Sequence, residues 1–370
     1  MANWSKRSRN DALPRDSLCV IANEVKQSLR KEDKIMRNAK LGFILSMIAL
    51  SCFLFACAET GPSVKPTAQE GKKTTIRLGS PFKTGHILVD AGEKFKELIE
   101  KGSGGRIAVE MQIGMKSEEE VNDLNNKGMI EMQANGNRPL EIYASQYFFL
   151  GAPYVMKDWD HLKRTWQGNL GKKAREQVEK NGNVSYLGIV YRGLRQTTSK
   201  KPIYTPADVY GLKLRLPAVP TWVAVWKEIG ADPVTLTLPE LYPGLKSGKA
   251  EASEGDLTQI SSFKLDEVQT HLIITNHMVQ IGGMLINKPF FDKLSKADQD
   301  LIIKAGKEAC DWASTKMIAS EKGVLLELQR KGMQVVIPDA DSFREKAKPA
   351  VEQLFKTTWP VTTWAEVLAQ

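Results

Sequence analysis

Apolar and polar positions along this 370-residue chain recur with two periods, two and about 3.6 residues, and the periods change over at short intervals. Residues 75–78 and 106–113 alternate as half-buried strands do, the second with Ile107, Val109, Met111 and Ile113 on one face. Between them a loop over 79–86 leads into a helical stretch that stops at the Ser/Gly cluster 102–105. A helix over 118–126 and a third strand over 129–134 come next, then one polar amphipathic helix over 158–181 and a strand over 184–191. Two β-like runs end near Arg195 and Arg215, turned by Pro206 and Gly211, and a helix beyond Pro220 carries Trp222 and Trp226 four residues apart on one face. Strands are predicted over 271–276 and 280–286. Ser295 caps a helical segment without proline up to Gly332, long enough at about 1.5 Å per residue to approach 50 Å. A short strand over 333–337 and a helical C-terminus complete the pattern.

Strands alternating with helices predict an α/β fold with a parallel sheet, whose ligands sit in loops outside the carboxyl ends of the strands. The loops over 80–86, with Phe82 and His86, and over 135–138, with Asn135 and Arg138, are therefore candidate pocket walls.

The first 73 residues read differently. Residues 1–35 are polar and aperiodic, an untranslated or disordered leader, and Met36 is the expected start. From Met36 a short basic segment precedes an apolar run over 41–56, short of the roughly 20 residues of a transmembrane helix and suited to a signal peptide. It ends in L-F-A-C at 54–57, similar to a bacterial lipobox with Cys57 as the lipidated cysteine; a plain cleavable signal and a retained anchor are the alternatives. Residues 57–73 form a Pro/Gly/polar tether. Cleavage would leave Cys310 alone, a small buried residue on a helix rather than part of a disulfide framework.

Arginine suits anion capture because its guanidinium cannot deprotonate and presents a rigid fork of donors, whereas lysine offers a point charge. Surface ion pairs are the ordinary alternative for Arg195 and Arg215. The R-Q-T-T-S run at Arg195, the G-L-K-L-R-L-P run at Gly211, Gly230-Ala231 and the P-E-L-Y-P-G-L turn resemble the solute-binding proteins of tripartite ATP-independent periplasmic (TRAP) transporters, and the likeness spans about residues 74–365. The resemblance implies a two-lobe periplasmic-binding-protein fold with hinge strands and a long bridging helix. Its lobes would comprise residues 74–192 with 281–320, and 193–280 with 321–370. It implies that Arg215, the arginine of the K-L-R-x-P run, binds a solute carboxylate, with Arg195 beside it and Arg138 as a further contact. Trp222 is either core or a lid over the solute. At Asn135 some sugar-acid-binding members place a glutamate, and the amide here points to an acid smaller than a sialic acid. Where many members read D-G-x-E-N, this chain reads E-A-S-E-G over 251–255, so Glu254 matches and Gly255 replaces the asparagine.

Charge and motif content narrow the classes. The net charge is +9, but residues 1–56 hold 10 basic and 5 acidic residues, so +5 lies there and only +4 beyond, with no basic blocks. Nucleic acid is not an expected partner. The four histidines, His86, His161, His271 and His277, show no metal-ligand spacing, and His271 and His277 are expected to be structural. No nucleophile elbow, phosphate loop or dinucleotide fingerprint is present, and no cofactor is implied. The expected protein is a lipid-anchored periplasmic binding protein for a small organic acid, carboxylate or sulfonate, that serves separate TRAP membrane subunits. A tethered sensor lipoprotein of the same fold and an enzyme acting on an organic acid are the rival classes.

Overall fold

Nine strands form one mixed sheet in the order β2-β1-β3-β8-β4-β7-β5-β6, with β9 paired to β8. The structure, a computed structural model, describes residues 73–370; the readings made on the leader, signal segment, tether and Cys57 lie outside the described residues. The strands are β1 Thr74–Gly79, β2 Ile107–Gln112, β3 Met132–Asn135, β4 Val184–Ser199, β5 Lys213–Leu216, β6 Asp232–Thr235, β7 Ala252–Asp256, β8 His271–Asn287 and β9 Gln334–Val336. The α-helices are α1 Ile87–Gly102, α2 Glu118–Asn126, α3 Arg138–Tyr143, α4 Trp159–Gln167, α5 Asn169–Gly182, α6 Pro220–Ile229, α7 Leu238–Lys246, α8 Leu257–Ser262, α9 Lys288–Phe291, α10 Lys296–Arg330, α11 Ala340–Thr357 and α12 Trp364–Leu368.

The expected all-parallel sheet is corrected. β1, β2 and β3 pair in parallel, as do β5, β6 and β7, but β4 and β8 run antiparallel to each other, and β3 and β7 run antiparallel to them. The two predicted strands over 271–286 are one 17-residue strand, and β4 continues past Tyr191 to Ser199. These two long strands join the lobes: β8 pairs with β3 through residues 283–286 and with β9 through residues 271–273, while β4 meets β7 through residues 195–199.

Local chemistry explains the elements that carry the cleft. His86 caps α1, its Nδ1 accepting from the Leu88 N–H at 3.1 Å. Ser117 caps α2, and Glu118, Glu119 and Glu120 fill the first turn, where carboxylates complement the helix dipole. The long helix α10, capped by Ser295, spans 35 residues or about 50 Å and packs on α1, β4 and α8, touching both halves of the sheet. The single helix predicted over 158–181 is two helices, α4 and α5, broken at Gly168. No helix among the described residues is long and apolar enough to cross a membrane.

Candidate functional site

Three arginines meet where β4, β7 and β5 lie side by side. Arg192 and Arg195 come from β4, Arg215 from β5, and β7 between them supplies Glu254 and Asp256. Their guanidiniums are all buried, at 1%, 3% and 1% exposure, so each needs a partner. Arg192 donates Nη2 to Asp256 Oδ2 at 2.7 Å and lies over the Phe82 ring, 4.6 Å from its centroid. Arg195 forks onto Glu254, Nη2 to Oε1 at 2.6 Å with Nε on Oε2, and covers the Trp222 ring at 4.9 Å. Arg215 differs: among the described residues it has no carboxylate partner, and Nε and Nη2 both donate to the Leu236 carbonyl, at 2.9 and 2.6 Å. One edge of its fork is thereby held, and the end-on edge formed by Nη1 and the second Nη2 hydrogen stays open. Burial lowers its pKa to about 10, opposed by Glu254, so the group is a cation at neutral pH.

A buried set of groups fixes these arginines. Burial would raise the Glu254 carboxyl, but Arg195 and His277 outweigh it and hold it at about 2. His277 reaches Glu254 Oε2 through Nε2 at 3.1 Å and Thr275 through Nδ1 at 2.9 Å. Asp256 is likewise held far below the usual carboxylate range against burial, chiefly by Arg192. His86 stacks on Phe82 at 3.9 Å, and burial with Arg192 nearby lowers its pKa to about 3, so it is neutral.

The opposite wall is acidic. Arg138, from α3, pairs with Glu119 at 2.9 Å and with Glu141. Burial raises the Glu141 carboxyl to about 7 despite Arg138, and it also raises Glu118, opposed by Arg192 and Arg138. Two bonds cross from this wall to the other: Arg138 Nη1 to the Ala218 carbonyl at 3.1 Å, and Trp222 Nε1 to the Gly151 carbonyl at 2.8 Å. The crevice between holds only about 20 Å³, lined among others by Glu118, Arg138, Arg192, Arg195, Arg215 and Trp222.

Of the residues named from sequence, Arg138, Arg195, Arg215 and Trp222 line this crevice, whereas Phe82, His86, Asn135 and Glu254 stand behind it. Asn135 is used up in scaffolding: its Nδ2 donates to the Glu118 carbonyl and to Gln133 Oε1, and its Oδ1 accepts from the Gly136 N–H. Arg192 and Asp256 were missed, and so were Glu118, Gln259 and Gln280. Arg192 is three residues from Arg195, which on a regular strand puts the two on opposite faces. A register shift between Tyr191 and Gly193, with Gly193 at φ 96°, turns both into the crevice. That bulge could have been suspected from the R-G-L-R spacing around a glycine.

Residues 78–358 match the DctP family, bacterial extracellular solute-binding protein, family 7. The chain belongs to that family. It is 30% identical over 295 residues to a solute-binding protein of Roseobacter denitrificans, covering 77% of this chain and 88% of that one. To the sialic acid-binding periplasmic protein SiaP of Vibrio cholerae it is 27% identical over 302 residues, covering 79% and 91%. A crystal structure of a TRAP periplasmic solute-binding protein from R. denitrificans with bound L-galactonate superposes with a TM-score of 0.74 at 27% identity, over 80% of this chain and 99% of that one. The chain is thus a TRAP solute-binding protein of the two-lobe fold, and its DctP-family relatives are binding proteins rather than enzymes.

Proposed function

We propose that this TRAP solute-binding protein captures one small organic acid anion in the periplasm and delivers it to separate membrane subunits. The observation that carries the reading is Arg215, a buried cation whose open edge faces a crevice and which has no carboxylate partner among the described residues. A carboxylate supplies two parallel acceptors and the missing charge together. Arg195 adds field and holds Trp222, while Glu254 keeps Arg195 in place. The L-galactonate bound by the R. denitrificans protein supports an acid as the solute class. Residues 74–192 with 281–320 and residues 193–280 with 321–370 move as lobes about β4 and β8, and the bonds at Ala218 and Gly151 hold the shut form. Lipidation at Cys57 tethers the protein to the membrane; its test is the mass of the processed N-terminus in the wild type and in Cys57→Ala.

Native mass spectrometry followed by a thermal-shift screen of organic acids tests the function. An acid at 100 times its Kd stabilises the fold by about 2.7 kcal/mol. Arg215→Ala should remove that shift. Retention of the full shift in Arg215→Ala, or turnover of the acid, overturns the reading.

A further inference from the structure

A second cavity, of about 580 Å³, shares no lining residue with the crevice. It lies where residues 154–157 and the C-terminal helices α11 and α12 cover β8 at Asn276 and His277. His277 stands between the two sites: its ring meets that of Tyr154 at 6.4 Å, while its Nε2 bonds to Glu254 behind the crevice. The volume is that of a site for a small molecule, and its walls are largely apolar, with Val155, Met156 and Leu368 among them.

Two buried polar atoms of lining residues, Tyr154 Oη and Trp364 Nε1, have no hydrogen-bond partner among the described residues. Buried polar groups are nearly always paired, and an indole N–H can only donate, so an occupant that satisfies both brings acceptors. Tyr154 sits at φ 63°, an uncommon conformation for a bulky residue, and its N–H bond to the His277 carbonyl at 2.7 Å holds it there.

The two atoms stand toward opposite ends of the cavity. Along it α11 presents Arg344, Lys348 and Glu352 at intervals of four residues, a run of about 12 Å. Tyr154 belongs to the first end: burial raises its phenol, and Arg344 is near enough to oppose the rise. Trp364 belongs to the second, since it stacks on Phe355 at 6.4 Å, one turn beyond Glu352. At the first end Arg344 is shared with Asp341 outside the cavity and Glu345 lies beside it, but Lys348 has no ion pair among the described residues. At the second end Glu352 would repel a further anion.

We propose that this cavity is a second ligand site, for an elongated monocarboxylate with an apolar body and a neutral acceptor at its far end. The carboxylate accepts from Tyr154 Oη beside Arg344 and Lys348, and the far acceptor receives Trp364 Nε1. The site uses neither Arg215 nor any other residue of the crevice.

Calorimetry with 6-acetamidohexanoate, hexanoate and adipate tests it, on the wild type and on Arg215→Ala. The amide probe should bind both proteins alike, and at least about threefold more tightly than hexanoate or adipate. Tyr154→Phe removes only the unpaired hydroxyl and should weaken the probe about tenfold, without lowering the unfolding temperature in the absence of ligand. Absence of binding, loss of binding in Arg215→Ala, equal or tighter binding of hexanoate or adipate, or unchanged binding in Tyr154→Phe each overturns the site. None of these outcomes overturns acid capture by Arg215, which the thermal-shift screen decides separately.

Discussion

At the scale of the residue, Arg215 and Arg195 share a chemistry but not a duty. Arg195 is saturated by Glu254, so Glu254→Gln leaves a buried cation without its counter-charge and should lower unfolding free energy by on the order of 3 kcal/mol in denaturant titrations. Arg215 must hold the Leu236 carbonyl and grip an anion at once, which a lysine cannot do. Arg215→Lys should therefore bind nearly as poorly as Arg215→Ala, about 30-fold to several-thousand-fold below wild type by calorimetry, the equivalent of about 2–5 kcal/mol. Wild-type affinity in the lysine variant would mean that only charge matters. Titration adds a third expectation. His86, faced by Arg192, Asp256 and Arg195, has a folded pKa of about 3 against 6.5 in the unfolded chain, so the unfolded chain binds the extra proton and the fold loses stability as pH drops below 6.5. Glu141 and Glu118 are raised and act in the opposite sense, but equally in wild type and variant. The stability of His86→Gln relative to wild type should thus improve by about 2 kcal/mol between pH 7.5 and 5. An unchanged difference would show that His86 is protonated in the fold. Of these residues, Arg215, Arg195 and Glu254 were legible from recognisable runs, and His86 from its place in the loop after the first strand. Glu118 and Asp256 were not, because a carboxylate at a helix start or strand end carries no mark of what it will face.

At the scale of the element, period and capping placed the strands and helices over 74–134 and 184–199 and the long helix α10. However, β6, β7, α3, α7, α8 and α9 were not read, and the P-E-L-Y-P-G-L stretch expected as a turn is the helix α7. Other misses have local causes. Residues 158–181 keep a helical period through Gly168, yet the chain turns there, and a Cβ on Gly171 would sit 2.0 Å from the Trp166 carbonyl oxygen. Glycine lets the two helices meet that closely, which period alone does not reveal. β8 looked like two strands because Asn276, at φ 44°, interrupts the alternation, while the register shift between Arg195 and Thr197 lets the pairing with β4 resume beyond it. Sheet direction was misread for a related reason: helices between strands imply parallel pairing only where consecutive strands are neighbours, and β4 and β8 pair antiparallel along nearly their whole length at the centre of the sheet. The close approach of β8 to β3 gives a prediction at this scale. A Cβ on Gly282 would lie 2.7 Å from the Asn135 carbonyl oxygen and 2.6 Å from Leu88 Cδ1. Gly282→Ala should cost about 1–3 kcal/mol by denaturant titration, since backbone on one side must shift. A neutral result would show that β3 and β8 can part without penalty.

At the scale of the whole molecule, two hydrogen bonds tie the walls of the crevice to each other. Long strands β4 and β8 and the helix α10 connect the lobes continuously, whereas across the crevice Arg138 reaches the Ala218 carbonyl and Trp222 reaches the Gly151 carbonyl. A single neutral hydrogen bond contributes about 0.5–1.5 kcal/mol net, so its loss shifts an open–closed equilibrium by roughly two- to tenfold. Trp222→Phe keeps an aromatic ring beneath Arg195 and removes the indole N–H together with the five-membered ring that carries it. In small-angle scattering the wild type should contract on saturation with its acid, and Trp222→Phe without ligand should show a larger radius of gyration than unliganded wild type. Saturating ligand should restore the variant's compact form, because the carboxylate on Arg215 and its contacts on the facing wall supply a larger differential than the lost bond. The variant's Kd should rise by the same factor as its open fraction. Identical profiles for both proteins, with and without acid, would mean a rigid pocket, and closure would then have no part in how this protein holds its solute.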